Sequence, residues 1–286
     1  MGAGGSRSSL TENTIAALIS GLHPLLVHGT VDETAREIYC RAHLRTGHSS
    51  AAHADRGEHL RAEEIFGKID RTELGWTLVR GSSSGHRVFV KDGLHLEVPS
   101  HLIQASGALR LPAIRDRFTP GFAALLSSRP VPAEGVRVYI PVPYSAARQV
   151  GRLLAQGLPD LIERFVLKAL TQPSDYPRSD AFTLFISPVD LEVVLKFLAL
   201  EKFPERFRFA PQYSMFARAE TSGVAWLEGT SSRSSGFERA NCIARAYHLY
   251  ATAEEELELE GLIRDELADA GIDPEAIHLY KSWIGR

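Results

Sequence analysis

The chain has 286 residues, 44% of them hydrophobic and 23% charged, with a formal net charge of -3. That is ordinary for a globular protein with one large domain, or a core with an appended helical segment. The charge balance excludes bulk attraction to nucleic acid or to an anionic membrane, so any anion must be recognised locally. The two cysteines, Cys40 and Cys242, lack Cys-x-x-Cys spacing and have no Arg six residues downstream. This argues against a disulfide framework, a structural zinc site and a phosphatase-type cysteine loop, and fits a reducing cytoplasm.

Residues 1–10 are rich in Gly and Ser and read as a flexible tail, with no apolar run of the secretion-signal kind after them. No apolar run approaches the length of a membrane span. Residues 11–75 read as a helical segment. Ile15, Leu18, Ile19 and Leu22 recur at helical spacing behind Thr11. A second helix is predicted over 32–46, capped by Asp32 and stopped at Gly47. His43, His48, His53 and His59 have no accompanying carboxylate–His spacing and read as scattered surface residues rather than a metal site.

Residues 76–286 read as an α+β domain with a mixed or antiparallel central sheet and flanking helices. From Trp76 the period becomes two, and Asp92-Gly93 between alternating runs predicts a hairpin. Lys91 and His95 are expected near each other at its end. Residues 99–130 read as irregular, with Arg110, Arg115, Arg117 and Arg129 among Pro and Gly breaks. Residues 136–142 form a strand with Arg137 and Tyr139 on one side and valines and Ile140 on the other. A helix is expected over 146–163, interrupted near Gly157-Leu158-Pro159.

Two apolar runs follow, Phe165–Leu170 and Ala181–Ile186, around a polar turn. Lys168 shares a face with Val166 and Leu170, and Arg178 and Asp180 precede the second strand. Locally, Lys168 reads either as an edge lysine that blocks aggregation or as a base beside an anion clamp. A helix begins at Pro188–Asp190, and a loop is predicted over 206–236. The last long helix carries Arg239 in its first turn, directly after the run from Thr230 to Gly236 that includes Arg233. This reads either as an anion pocket at a helix N-terminus or as a flexible Ser loop that caps a helix.

Three stretches resemble the Hop-type type III effector domain, known from plant-pathogen effectors and from gene clusters for class V lanthipeptides and thioamide-type modified peptides. They are Arg137-Val138-Tyr139; Phe165 through Phe185; and Gly223-Val224-Ala225-Trp226 followed by Ser235-Gly236-Phe237-Glu238-Arg239. One departure is that the family's Ser-Phe-Gly order stands here as Ser-Gly-Phe. The modified-peptide members are in turn similar to effector phosphothreonine lyases, which eliminate phosphate without metal or organic cofactor.

The resemblance implies Lys168 as the base and Arg178 and Arg239 on the phosphate; Arg233, in the Ser-rich loop before Arg239, is a further phosphate ligand expected from its chemistry. Arg137, Tyr139 and Asp180 are expected at the substrate. His95 as acid and Lys91 as its helper rest on hairpin placement. The implied function is a lyase acting on phosphorylated Ser/Thr of a ribosomally made precursor peptide, giving dehydroalanine or dehydrobutyrine. A kinase-like protein would supply the phosphate, since the chain has no Gly-rich nucleotide loop, and a cyclase is a further expected partner. The alternative is a non-catalytic peptide-binding or scaffold subunit, or an effector-like interaction protein.

Overall fold

The computed structural model describes residues 15–22, 29–46, 59–81, 85–91, 93–202, 205–206, 211–220, 223–230, 234–253 and 256–281. Twelve strands are found among them: β1 (Asp70–Glu73), β2 (Thr77–Gly81), β3 (His86–Lys91), β4 (Leu94–Pro99), β5 (Leu109–Pro112), β6 (Ile114–Thr119), β7 (Phe122–Leu126), β8 (Glu134–Ile140), β9 (Phe165–Leu170), β10 (Phe182–Ile186), β11 (Arg218–Ala219) and β12 (Ala225–Thr230). Seven strands form one sheet in the order β11-β12-β8-β10-β9-β7-β6, while β2-β3-β4 and β1-β5 form two smaller sheets. Every described pairing is antiparallel, as expected for an α+β fold.

Alternation along the central strands decides what each face of the large sheet carries. One face presents Val136, Val138 and Ile140 of β8, Phe182, Leu184 and Ile186 of β10, and Phe165 and Leu167 of β9, all buried. It packs in one core against α3 (Ala62–Phe66), α4 (Tyr144–Leu161) and α5 (Leu191–Glu201). The other face is covered over only part of its width. Tyr139, Ala225 and Leu227, on β8 and β12, join a second core with α1 (Ile15–Leu22), α2 (Val31–Ile38), α6 (Ser235–Thr252) and α7 (Leu259–Asp269). Towards β9 the same face carries Lys168 and Val166, both only partly buried, and a cavity stands over it.

Several local expectations change. α2 is capped by Thr30, not Asp32: Thr30 and Glu33 form a reciprocal capping box, which gives acceptors to two of the otherwise unpaired N–H groups at the helix start. Past Ile38 the chain widens into a π-helical turn, Tyr39–Leu44, and ends at Arg45 in the left-handed region. Residues 109–126, read as irregular, form β5, β6 and β7. α4 runs unbroken through Pro159. The loop over 206–236 contains β11 and β12. Among the described residues no helix is long and apolar enough to cross a membrane.

Candidate functional site

The cavity over the open part of the sheet has a volume of about 370 Å³. Its floor is set by strand register. Thr183 stands opposite Lys168 across β10–β9 and opposite Tyr139 across β10–β8, and Ala124 stands opposite Lys168 across β7–β9. One step along, Phe185 pairs with Arg137 on one side and Val166 on the other. All of these side chains share a face. Lys168, Arg137, Thr183, Asp180, His43 and Tyr39 bring polar groups to the lining, with Phe118, Phe122 and Phe185 as its aromatic walls.

The Lys168 ammonium lies 5.1 Å from the Phe118 ring centre and 5.0 Å from that of Phe185. Burial lowers its pKa, Arg137 adds to the lowering, and Asp180 works the other way. The Arg137 guanidinium lies 4.9 Å over Phe185, and its Nη2 donates to the Thr230 carbonyl at 2.6 Å. Arg178 donates from Nε and Nη2 to the two Asp180 carboxylate oxygens, each at 2.8 Å, in a largely buried pair. The N-terminus of α6 also reaches the cavity through Ser234, whose hydroxyl accepts the Phe237 N–H.

His43 sits on the π-helical turn and is 2% exposed. Its ring stacks on Tyr39 with centres 5.0 Å apart and meets the edge of Tyr139 at 5.0 Å. Nδ1 is 2.8 Å from Ser214 Oγ, which already accepts the Phe216 N–H. That pattern suits a neutral ring with its proton on Nε2. Burial pushes its pKa down to about 4; Asp180 opposes this, while Arg178, Arg137 and Arg239 reinforce it. The turn is fixed to the Arg178–Asp180 loop, because Ser179 donates from its hydroxyl to the His43 carbonyl and from its N–H to the Leu44 carbonyl. Gly236 leaves room for the ring: a Cβ there would stand 2.6 Å from His43 Cδ2. The Ser-Gly-Phe order thus has a packing reason in this chain.

The structure gathers Lys168, Arg137, Tyr139 and Asp180 around one cavity, with Arg178 behind Asp180. It does not gather Lys91 and His95. Both lie in the three-stranded sheet, and the register pairs Lys91 with Leu94 and His95 with Val90, which puts the two on opposite faces. Lys91 donates to the Leu74 carbonyl and lies over Trp76, while His95 is exposed.

Arg239 is not an open anion clamp either. It is fully buried and donates to the carbonyls of Ile277, Ser235 and Glu228, with its guanidinium 5.2 Å over Tyr280. Arg178 and Arg239 both lie near enough to bias the charge of His43, but neither presents its guanidinium unshared. Arg233, His48 and His53 lie outside the described residues. His43, read as a surface residue, belongs to the site. Its signal was present, because position 43 continues the helical stripe of Ala35, Ile38 and Ala42. Among the described residues no His/Cys/Asp/Glu group has a metal-binding arrangement.

Residues 113–279 match the HopA1 effector protein family, and the chain belongs to that family. Lys168, Arg137 and Asp180 fall inside the matched region; His43 and Tyr39 precede it. The effector protein from Pseudomonas syringae pv. tomato strain DC3000 shares the fold, at 14% identity and a TM-score of 0.50, over 94% of this chain and 98% of that one. The effector protein from Pseudomonas syringae pv. syringae strain 61 matches at 17% identity and a TM-score of 0.41, over 56% of this chain and 62% of that one. No curated protein matches the chain.

Proposed function

We propose that this member of the HopA1 effector protein family is a lyase that eliminates phosphate from phosphorylated Ser or Thr in a ribosomally made precursor peptide. The product would be dehydroalanine or dehydrobutyrine, with a kinase-like protein supplying the phosphate and a cyclase consuming the alkene. The observation that carries the reading is the setting of Lys168. It is a partly buried amine with a lowered pKa, beside Arg137, on the floor of a cavity of side-chain size.

Elimination needs a base for the Cα proton. Lys168 Nζ takes that proton, the C–H pair becomes the Cα=Cβ bond, and the Cβ–O bond breaks with its electrons going to phosphate. A lowered pKa raises the neutral fraction of the amine that can do this. Arg137 and the Ser234 end of α6 are the groups for the phosphate, one a cation and the other a helix N-terminus. His43 takes the role given above to His95. A phosphate dianion in the cavity opposes the arginine charges that help hold its pKa down, which shifts the ring towards its protonated form when substrate arrives. Asp180 neutralises Arg178 and lines the cavity as a fixed hydrogen-bonded wall.

The test is incubation with a phosphothreonine peptide. Release of inorganic phosphate together with loss of a whole phosphoric acid from the peptide mass is the expected result. Binding without release would leave a peptide-binding subunit in place of an enzyme.

A further inference from the structure

Next to the Lys168 cavity lies a second, larger one of about 730 Å³, and the two share Phe118 and Phe122 as walls. Three chain segments frame it: residues 59–61, the β6–β7 turn and Thr171-Gln172. Backbone bonds hold them together. Leu60 N–H donates to the Thr171 carbonyl at 2.8 Å, and Thr171 donates to the Gly121 carbonyl from N–H at 3.0 Å and from its hydroxyl at 3.1 Å. The cavity is therefore built into the fold.

Its lining carries more arginine than carboxylate. Asp116 is the carboxylate on its lining, and that group accepts the Ala62 N–H at 2.6 Å. Arg61 and Arg117 are its permanent cations. Arg61 lies 3.6 Å from Glu64, which also holds Arg148 at 3.2 Å. No ion pair engages Arg117 among the described residues, and its side chain is exposed on the edge strand β6. Phe118, 39% exposed, is the ring against which Lys168 lies on one side, and it borders the second cavity too.

We propose that this second cavity is a subsite for an acidic side chain of the substrate peptide, read by Arg117, close in sequence to the residue that enters the Lys168 cavity. The proposal rests on the reading of the Lys168 cavity as the elimination site. An extended chain advances about 3.3–3.6 Å per residue, so a side chain about two to four positions from the phosphorylated residue passes Phe118 and reaches Arg117. A carboxylate–guanidinium pair can be two-pronged, which adds affinity and also fixes register.

The experiment uses the full chain and fluorescent phosphothreonine peptides that differ at one position, carrying Glu, Gln or Lys, scanned to either side of the phosphorylated residue. Binding is read by anisotropy and turnover by phosphate release. The expected result is that Glu binds about threefold to tenfold tighter than Gln at one or two neighbouring positions. Arg117→Gln should erase the preference, and Arg117→Glu should turn it towards Lys. Equal binding of the three peptides at every position, no binding of any, or a Glu preference that survives both Arg117 variants would overturn the subsite. The two readings fail separately. A Glu preference in binding with no phosphate released removes the lyase and keeps the subsite, whereas release with no preference removes the subsite alone.

Discussion

Arg178 and Asp180, two residues apart, close a two-point ion pair with both bonds at 2.8 Å, and the Asp180 carboxylate is at the same time part of the cavity lining. The pair carries no net charge, so the cations left to attract an anion into the cavity are Lys168 and Arg137. Burial alone would lower the Arg178 pKa; the carboxylate more than offsets this and raises it. Removing one partner from a buried pair leaves an uncompensated charge, which costs about 3–5 kcal/mol. Asp180→Ala should therefore lose stability on that scale in urea unfolding, and Arg178→Met together with Asp180→Leu should recover most of it. A single Asp180→Ala variant as stable as the parent would show that water already screens the pair.

Arg239 is a keystone of the C-terminal segment. One guanidinium holds the start of α6 at Ser235, the Glu228 carbonyl of β12 and the Ile277 carbonyl of the chain end. Lysine has a single ammonium and no planar fork, so Arg239→Lys leaves buried carbonyls unpaired. The expected loss is about 3 kcal/mol in urea unfolding, with phosphopeptide affinity of the folded fraction within about twofold of the parent. A stable variant with a large loss of phosphopeptide affinity would return Arg239 to the substrate.

Elements and site residues are legible in the sequence where their partners are local. Phe165–Leu170, Ala181–Ile186 and the strand around Val138 alternate cleanly because each buries one face, and they were legible as the sheet floor with Lys168, Arg137 and Tyr139 on it. β6 was missed because it is an edge strand. Its Arg115, Asp116 and Arg117 meet solvent on a bulged edge, so no alternation survives. Lys91 and His95 were placed together by counting along a hairpin, and the register separates them by one residue, enough to change faces. Arg239 owes its burial to a segment far away in sequence, around Ile277, and no local pattern announces that contact; His43 continues the buried stripe of its helix, although its partner Ser214 is also distant.

His43 gives the folded state a pH dependence. Its ordinary value is 6.5, and burial brings it to about 4 in the folded chain. Between those values the unfolded chain binds the proton and the folded chain does not, so stability rises with pH across this window and falls as pH drops through it. One such group contributes on the order of 1.4 kcal/mol per pH unit. His278, also lowered to about 4, acts in the same direction. Urea unfolding followed from pH 7 to pH 4 should show His43→Phe with a shallower loss than the parent, the His278 share remaining. Parallel curves for the two would place the His43 proton elsewhere.

The base itself is tested by Lys168→Arg. Arginine keeps the charge and roughly the reach, but its pKa above about 12 prevents it from accepting a proton near neutrality. The two rings that flank the ammonium, Phe118 and Phe185, also stack well on a guanidinium, so the variant has a physical reason to fold and to hold a phosphate. Loss of a proton-transfer group costs about a hundredfold to ten-thousandfold in rate. The expected outcome is phosphate release reduced by at least about a hundredfold, with phosphopeptide binding by anisotropy within a few-fold of the parent. A lysine that only keeps the sheet face soluble would tolerate the change, with stability altered by about 0.5 kcal/mol or less. A folded Lys168→Arg protein that releases phosphate at the parent rate removes Lys168 from the chemistry. The elimination would then need another base from the cavity lining, where the His43 imidazole and the Asp180 carboxylate are the remaining basic groups.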